Sequence, residues 1–116
     1  MFMPGKPQVW YLDLFAGVND YDALEKAGSG GHKEINRTNL SMDDVKEALK
    51  KDVVQKQLDL IRFRNEYPAF GFDAKVTVMQ SEPHILKISW ERAGHRAVLE
   101  ANLKSYEYVI TEVMAP

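Results

Sequence analysis

Three absences narrow the classes of protein to which this 116-residue sequence can belong. It has no cysteine, which excludes disulfide bonds within the chain, thiolate metal ligands and cysteine nucleophiles. No apolar run reaches the length of a membrane helix, and the N-terminus lacks the charged and apolar regions of a secretory signal. The net charge of −2 shows no basic excess of the kind that nucleic-acid binders carry. We therefore expect a cytoplasmic protein that has neither nucleic acid nor a membrane as its partner.

A complete set of catalytic or metal-binding residues is also missing. The three histidines, His32, His84 and His95, are far apart in the sequence and have no metal-ligand spacing. No nucleophile is accompanied by a base and an orienting partner. The sequence thus predicts no metal, no cofactor and no catalysis by this chain alone.

The most informative feature that is present is an apolar run near the N-terminus. Val9–Phe15 lies between a Pro/Gly turn and Gly17, and such a run is typical of a strand buried on both faces in a parallel sheet or an α/β barrel. No later segment offers a parallel neighbour for it. The pattern therefore predicts a strand here, and a chain that begins partway through a larger fold.

The remaining sequence predicts helices followed by an antiparallel sheet. Asp20 can cap a short helix, and Ser41, followed by Asp44, marks the start of a helical region that Pro68 ends. Residues 74–114 alternate between apolar and polar side chains and are interrupted by three tight turns, which indicates a meander. The predicted fold class is α+β.

Binding residues are expected in the Gly-rich stretch between the first helices. Lys33 and Arg37 bracket Glu34 and Asn36, and this polar cluster, with His32 beside it, can hold hydroxyl groups or an anion. A flexible surface loop is the alternative for the same residues.

A carboxylate inside the apolar run is a second candidate. Asp13 must be paired or solvated, because burial of a bare carboxylate is costly. It is either a site residue near the end of the predicted strand or one half of a structural ion pair. Trp10 and Trp90 are both expected in the core.

Several motifs resemble the C-terminal end of sucrose phosphorylase and its relatives, which belong to glycoside hydrolase family 13, the α-amylase superfamily. The resemblance covers most of residues 4–70, whereas residues 71–116 match only as a generic small β domain. The motifs that carry it are Pro4-Gly5-x-Pro7-Gln8-Val9-x-Tyr11, Leu14-Phe15-Ala16-Gly17-x-Asn19-Asp20, Glu34-Ile35-Asn36-Arg37, Val53-Val54, Leu60-Ile61-Arg62-Phe63-Arg64-Asn65 and Ala69-Phe70.

The resemblance implies a domain organisation and a reaction. Residues 1–70 would form the last strand, loop and helices of a (β/α)8 barrel, and residues 71–116 a C-terminal antiparallel β domain. The parent enzyme would be a hexosyltransferase that transfers glucose from an α-glucoside to inorganic phosphate by a retaining double displacement and forms α-glucose 1-phosphate. The family's two catalytic carboxylates lie on earlier barrel strands, so this chain would contribute only to the substrate rim, through Lys33, His32, Asp13 and Arg37.

Departures from the sucrose type point to a different donor. Sucrose-type members have Arg at the position of Lys33, where it is associated with holding the glucosyl unit, and lysine lacks the planar fork of arginine. Trp10, Asp13 and the longer Gly28–His32 insertion also differ. These features look closer to relatives that act on glucosylglycerate, glucosylglycerol or sucrose 6′-phosphate.

Two alternatives stay open. The chain could be a stand-alone, non-catalytic α+β module that binds a partner, or one half of a split enzyme that reassembles from two polypeptides. The fate of Val9–Phe15 separates the first alternative from a fragment: a stand-alone module would cover this segment within one monomer. In a fragment the segment would be disordered, pack differently or drive formation of a homodimer.

Overall fold

A computed structural model describes residues 1–114 as an α+β arrangement of four α-helices, one 3₁₀ segment and a four-stranded sheet. The chain divides into two compact units. One consists of Gln8–Leu60, and the other combines Met1–Pro7 with the chain from Ile61 onward. The predicted α+β class is confirmed.

The helical unit begins with a single turn of helix where the sequence predicted a strand. Helix α1 spans Tyr11–Leu14, so the predicted strand over Val9–Phe15 is wrong. A strand needs a neighbour for its backbone groups, and within residues 1–114 none pairs with this segment. Its N–H groups bond locally instead: that of Leu14 donates to the carbonyl of Trp10 at 2.9 Å.

The next elements follow the predicted caps. Helix α2 spans Tyr21–Ala27, and the Asp20 carboxylate accepts a hydrogen bond from its first turn, as predicted. A 3₁₀ segment, Gly31–Asn36, occupies part of the predicted Gly-rich loop. Helix α3 (Met42–Ala48) starts at Ser41, and α4 (Asp52–Glu66) ends two residues before Pro68.

The start of α3 is a capping box, in which Ser41 and Asp44 hydrogen-bond each other. This capping box makes the stability of the helix depend on pH. The Asp44 N–H donates to the Ser41 hydroxyl at 3.1 Å, and the Ser41 N–H donates back to the Asp44 carboxylate at 2.8 Å. The Ser41 hydroxyl, and then its backbone N–H, hold the pKa of Asp44 below its usual value. A carboxylate whose pKa is lowered by folding stabilises the fold above its unfolded pKa of about 3.9, and loses that effect as the pH falls through the lower folded value.

We expect Ser41→Ala to reduce the free energy of unfolding by about 1 kcal/mol at neutral pH, because an N-cap is lost. The loss should shrink below pH about 4, where Asp44 becomes protonated in the unfolded chain. Urea unfolding at both pH values measures it. Asp43→Asn, which removes a neighbouring carboxylate that pairs with Lys46 rather than with the cap, is the control. An equal effect of Ser41→Ala at both pH values would contradict this account.

The sheet unit is the predicted meander. Strands β1 (Lys75–Glu82), β2 (Ile85–Arg92), β3 (His95–Asn102) and β4 (Tyr108–Met114) pair antiparallel in chain order. A two-residue turn joins β2 to β3; its residues, Ala93 and Gly94, both have positive φ, as the tightest hairpins require.

One face of this sheet carries the core. Trp90 and Ile88 on β2 and Ala97 on β3 are at most 3% exposed, and Phe2 from the start of the chain is buried with them. The Trp90 indole N–H donates to the Phe2 carbonyl at 2.7 Å. Partly buried hydrophobic residues pack against this cluster: Phe63, Tyr67, Phe70, Ala74, Val76, Leu86, Leu99 and Ile110. The expectation that Trp90 lies in the core is confirmed.

Candidate functional site

The four predicted site residues all lie in the helical unit, on two short segments. Asp13 is on α1, His32 and Lys33 are in the 3₁₀ segment, and Arg37 directly follows that segment. All four side chains are exposed. Asp13 is therefore a solvated carboxylate, and the ion pair considered for it is absent within residues 1–114.

Two hydrogen bonds join the segments. The indole N–H of Trp10 donates to the carbonyl of Asn36 at 2.7 Å, and the Tyr11 hydroxyl donates to the carbonyl of Thr38 at 2.9 Å. Both donors stand at the start of α1, and both acceptors stand at the end of the 3₁₀ segment. The two segments that carry the candidate residues are thus held side by side.

The positions of Trp10 and Asn36 within their segments relate the bond between them to Asp13 and Lys33. Trp10 is the N-cap of α1, so Asp13 is at the third helical position, which lies next to the N-cap in a helical first turn. Lys33 is three residues before Asn36, and residues three apart eclipse one another in a 3₁₀ helix. The Trp10–Asn36 bond therefore holds the N-cap of α1, three residues before Asp13, next to the end of the 3₁₀ segment, three residues after Lys33.

The 3₁₀ segment is also fitted closely to α2. Gly31 is buried, and a Cβ placed on it would approach the Cβ of Ala27 to within van der Waals overlap. Gly28 and Gly30 have positive φ, which lets the chain turn sharply before the segment begins. The Gly-rich stretch thus leads into a folded 3₁₀ segment, which differs from the flexible surface loop considered as the alternative for these residues.

Side chains from later in the chain support α1. The Gln57 amide donates to the carbonyls of Asp13 and Leu14, at 3.2 and 3.3 Å, and the Lys51 ammonium donates to the carbonyl of Ala16 at 3.0 Å. Leu12, which is 2% exposed, fixes the other side of the turn. A one-turn helix has unsatisfied carbonyls at its end, and these donors satisfy them.

The charged side chains of the site differ in whether they form ion pairs. The Arg37 guanidinium pairs with the Glu34 carboxylate at 3.0 Å. Across the part of the chain that the structure describes, no hydrogen bond or ion pair joins Asp13, His32 and Lys33 to one another. The cation of Lys33 and the imidazole of His32 are thus available at the surface beside polar backbone and side-chain groups.

Comparison with known proteins identifies the family. No protein-family profile matches the chain. It is 48% identical over 111 residues, 96% of its length, to the sucrose 6(F)-phosphate phosphorylase of Ilumatobacter coccineus. The chain corresponds to a C-terminal region of the sucrose phosphorylase family. The resemblance seen in the sequence motifs is thereby confirmed.

Other members of the sucrose phosphorylase family match over nearly the same part of the chain. Identity is 34% over 97% of the chain with the glucosylglycerol phosphorylase of Marinobacter adhaerens. The crystal structure of the sucrose 6F-phosphate phosphorylase from Thermoanaerobacter thermosaccharolyticum covers 97% of the chain with a TM-score of 0.85 and 39% identity. The chain spans about a fifth of the length of these relatives and corresponds to their C-terminal region.

The sequence did not predict every residue that shapes this region of the family fold. Trp10 is 45% exposed, so its expected place in the core is wrong, and its bond to Asn36 was not foreseen. The contacts of Gln57 and Lys51 with α1 could not be predicted either, since a helical sequence pattern does not show which polar side chain will satisfy the carbonyls of a distant turn. Among the described residues there is no group of three potential metal ligands and no helix long and apolar enough to span a membrane.

Proposed function

We propose that this chain supplies the C-terminal part of a retaining α-glucosyl phosphorylase whose donor is sucrose 6F-phosphate or a closely related α-glucoside. The observation that carries the proposal is the 48% identity over 96% of the chain to an enzyme named sucrose 6(F)-phosphate phosphorylase. Sucrose phosphorylases match at 36% identity, for example that of Streptococcus mutans. The higher identity agrees with the departures from the sucrose type at Trp10, Asp13 and Lys33.

The proposed reaction has two displacements at the anomeric carbon. An aspartate attacks this carbon as the glycosidic bond breaks, and a glutamic acid gives its proton to the departing oxygen. A phosphate oxygen then attacks the anomeric carbon of the glucosyl-enzyme and displaces the aspartate, the glutamate takes up the phosphate proton, and α-glucose 1-phosphate leaves with the original configuration. Such chemistry needs two carboxylates about 5 Å apart on either side of the bond. We assign both to the part of the enzyme outside this chain, and expect the chain alone to be inactive.

Within that enzyme we assign residues 1–70 to the end of the (β/α)8 barrel and residues 71–116 to the C-terminal β domain. Lys33, His32, Asp13 and Arg37 would lie at the substrate rim. Support comes from the Trp10–Asn36 and Tyr11–Thr38 bonds, which hold the two segments bearing these side chains together. A cytoplasmic location and a homodimer remain predictions.

A fusion enzyme tests the proposal. This chain would replace the C-terminal region of the Thermoanaerobacter thermosaccharolyticum enzyme that it matches. We expect the fusion to release α-glucose 1-phosphate from sucrose 6F-phosphate in the presence of phosphate. The isolated chain, and the relative truncated before the matched region, should each release none. Release of product by the chain alone would overturn the assignment of the carboxylates.

The same assay separates the alternatives. If the truncated relative regains activity when this chain is added, a split enzyme is supported. If the folded fusion is inactive, the chain is better described as a stand-alone binding module. A substrate panel in which sucrose is clearly the best donor of the complete enzyme that carries this region would overturn the proposed donor class.

A further inference from the structure

Trp10 is an exposed aromatic side chain that the fold holds in one orientation. Of the two tryptophans, Trp90 is 3% exposed and Trp10 is 45% exposed. The bond from its indole N–H to the Asn36 carbonyl satisfies the only polar atom of the side chain. The ring also contacts that of Tyr11, with centroids 5.1 Å apart and planes tilted by 48°. An indole fixed at its edge in this way presents apolar ring surface to the surroundings.

A sugar needs both an apolar surface and polar groups, and the two segments that Trp10 joins carry both. A hexose ring has a face of C–H groups, which packs on the electron-rich face of an aromatic ring, and an edge of hydroxyl groups, which needs polar partners. Trp10 is bonded to the segment that carries Lys33 and His32, and it caps the helix turn that carries Asp13. Side chains that can accept or donate hydrogen bonds to hydroxyl groups thus lie on the two segments that Trp10 joins.

We propose that Trp10 is the stacking platform for a hexose ring of the donor and a determinant of donor specificity. This inference rests on the proposed function, because it places the ring at the substrate rim of the phosphorylase. The platform acts by packing on the C–H face of the sugar, while the side chains of Lys33 and Asp13 bind its hydroxyl groups. Any aromatic residue can supply part of this contact, whereas a small residue cannot.

The experiment compares Trp10→Ala and Trp10→Tyr in the fusion enzyme. We expect Trp10→Ala to raise KM for sucrose 6F-phosphate about ten-fold, the upper range for loss of one aromatic contact, with KM for phosphate unchanged. Trp10→Tyr should restore most of the affinity and change the preference between sucrose 6F-phosphate and sucrose. Tyr21→Ala removes another exposed aromatic ring, 64% exposed on α2, and should change neither KM.

Each other outcome has a distinct meaning. An inactive, folded fusion overturns the proposed function together with this inference. An active fusion in which Trp10→Ala leaves KM for the donor unchanged overturns the inference alone. A fall in Tm without a change in KM does the same, because Trp10 would then pack against protein rather than sugar. If the fusion does not fold, the same variants are compared in the mixture of the truncated relative and this chain.

Discussion

Trp90→Ala is expected to lower the free energy of unfolding of this chain by about 3–5 kcal/mol, the usual loss when a large aromatic side chain is removed from a core. Trp90 is 3% exposed and belongs to the buried cluster that also contains Phe2, Ala69, Ile88 and Ala97. Its loss would leave a cavity and deprive the Phe2 carbonyl of its buried donor. A domain is stable by only about 5–15 kcal/mol, so urea unfolding followed by circular dichroism should show a largely destabilised protein.

A charged side chain adds to this loss. The Arg64 guanidinium lies 3.9 Å from the centre of the Trp90 ring and donates to the Gly5 carbonyl at 3.1 Å. Burial lowers the pKa of Arg64, and one of its nitrogens is buried without a hydrogen-bond partner. Without the indole, the cation would lose the aromatic face that compensates in part for its missing water.

The control for Trp90→Ala is the same change at the other tryptophan. Trp10→Ala removes an identical set of atoms from a side chain that is 45% exposed, and should cost less stability because less apolar area returns to water. Trp90→Phe keeps most of the volume and loses the bond to Phe2, so it should fall between the two. Equal unfolding midpoints for Trp90→Ala and Trp10→Ala would refute the assigned core.

The sheet and the helix caps could be predicted from sequence because their causes are local. Alternation along residues 74–114 sets which side of each strand is buried, and two residues with positive φ suffice for the tight turn at Ala93 and Gly94. The caps at Asp20 and Ser41 depend on residues no more than three positions away. These elements can therefore be predicted from short stretches of sequence, without knowledge of distant contacts.

Elements that depend on distant partners were predicted less well. Val9–Phe15 has the composition of a buried strand, but a strand also needs a neighbour, and the turn of α1 is instead completed by Gln57 and Lys51. Trp10 has the apolar character of a core residue, but its indole N–H donates a hydrogen bond to the carbonyl of Asn36, 26 residues away. Of the candidate site, the residue types could be named from sequence, while their arrangement depends on these long-range bonds.

Lys33→Ala in the fusion enzyme is expected to lower kcat/KM for phosphorolysis of sucrose 6F-phosphate by about 10- to 100-fold. A hydrogen bond to a charged group contributes about 1.5–3 kcal/mol, and each 1.4 kcal/mol is about a factor of ten in rate. Lys33 is exposed on the 3₁₀ segment, at the position where the sequence resemblance implies an arginine in sucrose-type members. Steady-state release of α-glucose 1-phosphate measures the effect.

Two further variants show whether the loss of activity in Lys33→Ala arises at the substrate rim or from the change in charge alone. Lys26→Ala removes an exposed lysine from the end of α2, makes the same change in charge and should leave kcat/KM unaltered. Lys33→Arg restores the cation and adds the planar fork that binds two oxygens at once, so we expect it to retain activity and to shift preference towards sucrose. If Lys33→Ala behaves like Lys26→Ala, Lys33 does not touch the substrate, and the rim must be built from other residues. If Lys33→Arg is as inactive as Lys33→Ala, the compact ammonium itself is required, since a lysine can enter a space that a guanidinium cannot.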